Sequence, residues 1–195
     1  MPKFKSVCVF CGSSTGKNPA YMEAARAFGA ALAREKIRLV YGGGHVGMMG
    51  ALSEAVMQNG GKVLGVIPEF LVARENARAG ENELKIVRDM HERKRMMVEQ
   101  ADAFVALPGG IGTLEELVEQ LTWFQLDRHK KPILLANIDG YWDPLIALFQ
   151  HMNAQKFVYG GVRYLVADRA ADIVPALRAA VETQSEAEHV VAGGM

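Results

Sequence analysis

The sequence lacks the features that mark a disulfide scaffold, a membrane protein or a nucleic-acid binder. Only two cysteines occur among 195 residues, too few for a disulfide framework. Cys8 and Cys11 form a C-x-x-C, but both fall in or at the end of the first expected strand. Positions three apart on a strand face opposite sides, and no further ligands at zinc spacing stand nearby. Both cysteines are therefore read as small buried hydrophobes. Charge of either sign is not in excess: 22 basic and 22 acidic residues cancel, and no basic run stands out. Nucleic-acid binding has no electrostatic footprint here. No apolar run approaches the ~20 residues that a membrane span needs. No leader pattern precedes the first strand, so a cytoplasmic location is expected. His45, His91, His129, His151 and His189 show no metal spacing such as H-E-x-x-H, and no metal is expected.

What is present is an apolar half, with 50% hydrophobic residues, ample for the core of one substantial α/β domain. Strand and helix signals alternate. Expected strands cover 6–10, 37–41, 63–67, 84–87, 103–107, 132–136 and 163–166. Expected helices cover 21–35, 47–59, 90–100, 113–125, 142–152 and 170–183. The polar segment from Glu69 to Glu83 reads as a loop or short helix at a site's rim. Strands that are apolar throughout and alternate with helices imply a doubly wound parallel sheet, Rossmann-like, with helices on both faces. Residues 1–183 are expected to form this single nucleotide-binding domain, and 184–195 a flexible tail. Ligands of such sheets sit outside the carboxyl ends of the strands. The loops that matter are therefore those starting at Cys11, Gly42, Pro68 and Pro108.

The richest of these is Leu107-Pro108-Gly109-Gly110-Ile111-Gly112-Thr113-Leu114-Glu115-Glu116. An apolar strand runs into a glycine turn that opens directly into a helix. Such a turn leaves backbone N–H groups at the positive end of a helix dipole, a ready site for phosphate. Two carboxylates follow within the first turn. They would repel the phosphate, so they point to chemistry on the rest of a nucleotide. Thr113 and Glu116 also match the S/T-x-x-E capping box, and the residues alone leave capping and catalysis evenly balanced. Glu115 and Glu116 lie about 100° apart around a helix, so they do not act as a matched pair on one bond.

Weaker patterns have plainer readings. Gly42 to Gly47 fits G-x-G-x-x-G but follows the second strand, not the first; a turn allowing close approach is the simpler account. Gly12 to Lys17 is one residue short of a P-loop, and Asn18 replaces the Ser/Thr that would hold magnesium. The basic run at Met90 to Met97 is either a solvated face or, because it opens a helix after a strand, a source of Arg93 or Lys94 for a phosphate or carboxylate. Met48, Met49, Met96 and Met97 are either ordinary core or an adaptable apolar wall.

Taken together, these stretches resemble the Lonely Guy family of cytokinin-activating phosphoribohydrolases, whose members are often labelled lysine decarboxylases. The signature P-G-G-x-G-T-x-x-E is matched by Pro108 through Glu116, and M-H-x-R-K by Met90, His91, Arg93 and Lys94. Val40-Tyr41-Gly42-Gly43-Gly44, Gly65-Val66-Ile67-Pro68 and Leu121-Thr122-Trp123 also fit, and the resemblance runs from Ser6 to Leu177. It implies hydrolysis of the N-glycosidic bond of an N6-modified adenosine 5′-monophosphate, releasing the free base and ribose 5-phosphate without a cofactor. By position it implies Arg93 and Glu116 as the catalytic pair. Glu75, Arg93, Lys94, Gly109, Gly110, Ile111, Gly112, Thr113, Leu114, Glu115 and Thr122 would line the nucleotide. It further implies a homodimer, with the helix near Arg93 close to the interface. Two rivals stand beside this reading: a carrier that binds a nucleotide or cofactor without turnover, and a general AMP nucleosidase. A pyridoxal-phosphate lysine decarboxylase would need a Schiff-base lysine, and no residue marks one.

Overall fold

A computed structural model describes residues 4–73, 83–158 and 160–192. Its strands are β1 (Ser6–Phe10), β2 (Arg38–Tyr41), β3 (Val63–Pro68), β4 (Glu83–Val87), β5 (Ala103–Ala106), β6 (Ile133–Ala136) and β7 (Leu165–Ala167). The helices are α1 (Pro19–Arg34), α2 (Gly47–Gln58), α3 (Met90–Glu99), α4 (Ile111–Gln125), α5 (Asp143–Ala154) and α6 (Ala170–Ala192). Each element expected from apolar periodicity is present. The last helix, expected over 170–183, runs on to Ala192. Of the rim segment, a single 3₁₀ turn at Glu69–Leu71 is described.

All pairings are parallel, in the order β4-β3-β2-β1-β5-β6-β7. β1 therefore sits mid-sheet, hydrogen-bonded to β2 on one side and β5 on the other. The chain winds outward in one direction from β1 to β4 and in the other from β5 to β7. The seam between β1 and β5 is the topological switch point, where the loops diverge and leave a crevice. In register, Phe10 pairs with Ala106, which sets the Cys11 loop beside the Pro108 loop.

The central strands are buried on both faces. Val7 and Val9 join α1, α2 and α6 in one cluster, through Phe28, Leu52 and Ile173. Cys8 and Phe10 join α3, α4 and α5 in the other, through Met97, Leu117 and Phe149. Cys11 falls in the first cluster and Cys8 in the second, as strand alternation requires, and both are free thiols.

Two contacts fix the frame beneath the site. Asn18 caps α1 by accepting from the Ala20 N–H, with Pro19 following it. The Gly12 carbonyl accepts from the Met48 and Met49 N–H groups at 3.1 and 3.3 Å, which docks the loop after β1 onto the start of α2. α1 and α2 approach closely at Gly29. A Cβ there would lie 2.6 Å from the Leu52 carbonyl oxygen and 2.9 Å from the Ala55 Cβ. Gly29→Leu is expected to lower unfolding free energy by about 1–3 kcal/mol through overpacking, read as a lower urea midpoint with unchanged m.

Candidate active site

The crevice at the switch point is a groove of about 350 Å³. Its floor is the end of β1 with Cys11, Gly12 and Ser13; α4 supplies Ile111, Gly112, Thr113, Glu115 and Glu116; α3 supplies Met90 and Arg93. Gly42, Met49 and Leu71 close the remaining side. A larger recess of about 790 Å³ lies at the opposite end of the sheet, where β1, β2, β3 and β5 begin, among Lys5, Lys36, Arg38 and Lys62 and the acidic Glu99 and Asp102. Lys36 and Lys62 lie there close behind the carboxyl ends of α1 and α2. Cations at that position complement the helix dipoles, and no catalytic constellation converges there.

α4 begins two residues earlier than expected, at Ile111, with Gly110 as N-cap and no side chain capping it. Thr113 is therefore inside the first turn and cannot be the cap. This removes the capping-box reading of Thr113 and Glu116. The Thr113 side chain is buried instead against Gly109, where a Cβ would collide with its Oγ1. Ile111 and Gly112 stand at the mouth of the groove, with their amides at the positive end of α4.

Glu116 points inward, with its side chain only 12% exposed, and its Oε1 lies 3.6 Å from the Arg93 Nη1. Arg93 is itself pinned: Nε donates to the Val66 carbonyl at 3.1 Å and Nη2 to the Gly42 carbonyl at 3.4 Å. Its guanidinium passes directly over Gly42, where a Cβ would strike Nη2. α3 is aimed this way because Asp89 caps it, accepting from the His91 and Glu92 N–H groups at 2.9 Å each. Next along α3, Lys94 Nζ donates to Glu115 at 2.6 Å and to Glu119 at 3.0 Å. Burial alone would lower the Lys94 pKa, but these two carboxylates hold it above its ordinary value.

The expected site residues thus separate into groups. Arg93 and Glu116 meet; Lys94 and Glu115 meet; Gly110, Ile111, Gly112 and Thr113 line the groove. Gly109 lies behind the turn, lining a second recess with Tyr21 and Tyr141. Leu114 is half-buried on α4 outside the groove. Thr122 is exposed and donates back to the Val118 carbonyl at 2.8 Å, away from the groove in this chain. Glu75 lies outside the described residues. Of the four methionines, Met49 lines the groove while Met48 and Met97 are core. The contributions of Gly12 and Gly42 were signalled only by their position in loops after strands, and that of Met49, in the first turn of α2, by the reading of the methionines as an apolar wall.

Burial raises the Glu116 pKa from 4.5 to about 6, and the Arg93 charge opposes the rise. Such a group binds more protons folded than unfolded between those values, so folding loses stability as pH climbs through that window. The ionised carboxylate then costs about 2 kcal/mol above pH 6. The stability difference between Glu116→Gln and wild type should accordingly shift by about 2 kcal/mol in the variant's favour between a pH below 4.5 and pH 8, as measured by urea unfolding at both pH values.

Known proteins match this chain closely. A family model described as possible lysine decarboxylase covers residues 49–177. A cytokinin riboside 5′-monophosphate phosphoribohydrolase of Arabidopsis thaliana is 51% identical over 164 residues, 84% of this chain and 76% of that protein. Another, from Rhodococcoides fascians, is 48% identical over 83% of this chain and 82% of its own length. The Moco carrier protein of Chlamydomonas reinhardtii superposes with a TM-score of 0.71 at 19% identity, covering 93% of this chain and 99% of that one. At that identity the likeness is one of fold. With matched sequence along most of its length and the same doubly wound sheet, the chain belongs to the Lonely Guy family, the family whose model is described as possible lysine decarboxylase.

Proposed function

We propose that this protein hydrolyses the N-glycosidic bond of an N6-modified adenosine 5′-monophosphate, releasing the free base and ribose 5-phosphate. The observation that carries this reading is the convergence, in one groove, of an uncapped helix start with a buried Glu–Arg pair. The identity of about half to proteins named for that activity supports it.

The amides at Gly110 to Thr113 hold the 5′-phosphate, so that binding energy remote from the reacting carbon fixes the ribose. As the bond from ribose to base breaks, its electron pair goes to the base nitrogen and positive charge gathers on the sugar. The Glu116 carboxylate stabilises that charge, or takes a proton from the water that adds to the anomeric carbon. The water's hydroxyl ends on the sugar and its proton on the base nitrogen that received the electron pair. Arg93, fixed by two carbonyls, orients Glu116 and keeps it ionised near neutral pH. Lys94 and Glu115 bind at the nucleotide's rim.

The working unit is read as a homodimer and the location as cytoplasmic. Among the described residues no helix is long and apolar enough to cross a membrane. Ile111, 83% exposed, and Val118 form an apolar stripe on α4 beside the groove, the kind of surface that a second copy covers. Thr122 continues that stripe, one turn beyond Val118. Thr122 would reach a nucleotide on such a shared face, and Glu75 keeps the nucleotide-lining role that the family resemblance implies. Residues 1–183 would form the catalytic unit and 184–195 an appended tail.

Product analysis with a panel of nucleoside monophosphates tests the reading. Free base should appear much faster from isopentenyl-AMP than from AMP. Comparable rates would make the protein a general AMP nucleosidase, and no release from any substrate would make it a carrier. Glu116→Gln should lower kcat at least about 100-fold, the usual span for a lost acid–base group, and a near wild-type rate in that variant overturns the mechanism. In the wild type, kcat/KM should rise with pH through about 6 as Glu116 ionises. Light scattering should give a mass twice 21.3 kDa.

A further inference from the structure

The turn that opens α4 is held from behind by three carbonyl contacts. The Trp142 indole Nε1 donates to the Ala106 carbonyl at 3.1 Å, at the end of β5. The Gly12 N–H donates to the Pro108 carbonyl at 3.1 Å. The Tyr141 hydroxyl donates to the Gly109 carbonyl. A peptide plane whose carbonyl is tied to one side turns its N–H to the other. The Leu107 N–H, which follows the first of these carbonyls, stays in the sheet and donates to the Phe10 carbonyl at 3.0 Å. With the Gly109 carbonyl drawn back by Tyr141, the Gly110 N–H of the same peptide is directed the other way, toward the groove that Gly110 lines. Of the three donors, only Tyr141 acts on Gly109, whose carbonyl belongs to the peptide that carries the Gly110 N–H.

Tyr141 is itself immobilised. Its ring meets Tyr21 edge-on at 5.3 Å and Trp142 at 4.9 Å. Trp142 is in turn anchored through its own N–H, which donates to Asn137 Oδ1 at 2.8 Å. Asn137 then donates to Asp143 and Asp168. The hydroxyl therefore reaches the turn from a rigid platform after β6, on the far side of the turn from Arg93 and Glu116. It lines the recess behind Gly109 and Gly110, not the groove.

We propose that Tyr141 is a positioning residue for the phosphate. Its hydroxyl sets the orientation of the Gly109–Gly110 peptide, and so the aim of the amides that bind the anion, without touching substrate itself. This rests on the reading of the groove as a nucleoside monophosphate site. Tyr141→Phe keeps the ring and both edge contacts and removes only the hydroxyl. It should weaken ribose 5-phosphate binding about tenfold, measured by calorimetry, and raise KM by a similar factor, the scale of one hydrogen bond. The kcat and the affinity for free adenine should stay within about twofold of wild type. p-Aminophenylalanine at 141, which restores a donor, should recover the ribose 5-phosphate affinity. Unchanged ribose 5-phosphate affinity in Tyr141→Phe, an equal loss for adenine, or no recovery with the amino analogue would each overturn the proposal. Ribose 5-phosphate binding needs no turnover. A wild type that hydrolyses nothing, beside a Tyr141→Phe that still loses affinity, would sink the hydrolase reading and leave this one standing.

Discussion

The site depends on a buried guanidinium. Arg93 reaches from α3 to the backbone of β3 at Val66, to the loop after β2 at Gly42, and to Glu116 on α4. A charge removed from water is tolerated only when its donors are met, and here carbonyls and a carboxylate meet them. The arrangement binds four elements to one point, so the geometry of the groove is a consequence of solvating one cation. It also explains the glycine at 42: any side chain there would occupy the space of Arg93 Nη2. The first glycine of a pattern that resembles a dinucleotide fingerprint is thereby accounted for by close packing on an arginine, and the second, Gly43, by its positive φ of 77°.

Glu116 is poised by the same contact. Burial pushes its pKa up and the Arg93 charge pulls it back, leaving it near 6. Without Arg93 burial would push the carboxyl higher still; without burial it would lose the cause of its rise. The compromise leaves a carboxylate that is mostly ionised at neutral pH yet poorly hydrated, so that its charge acts strongly on a cation forming beside it. The fold accepts a stability cost for this, as sites adapted to chemistry commonly do.

Periodicity made the architecture legible because the strands are apolar throughout and the helices have clear starts, such as Asn18-Pro19 before α1. Alternation along β1 was enough to place Cys8 and Cys11 on opposite faces. The glycine turn and its two carboxylates were visible too, but their roles were not, since T-x-x-E is both a cap and a catalytic signature. Three-dimensional placement settled the cap, because the helix starts at Ile111 and Thr113 turns against Gly109. What stayed hidden were contacts that no local pattern encodes. Tyr141 lies 32 residues from the carbonyl it holds, and Arg93 lies 51 from Gly42. Thr122 fits a family motif, yet it sits on the outer face of α4.

The family description as possible lysine decarboxylase can be weighed against the same chemistry. Pyridoxal-phosphate catalysis begins with a lysine that can shed its proton and attack an aldehyde. The lysine beside this groove is Lys94, and its Nζ is fastened between Glu115 and Glu119, which raise its pKa and keep it cationic. Lys131 is the lysine whose pKa burial does lower, but its Nζ donates to the Val98 carbonyl in the last turn of α3 and takes no part in the groove. One lysine is placed near the site but held protonated, and the other is shifted but placed elsewhere. The groove's tuned group is a carboxylate, which suits stabilising a cation on a sugar and not forming an imine.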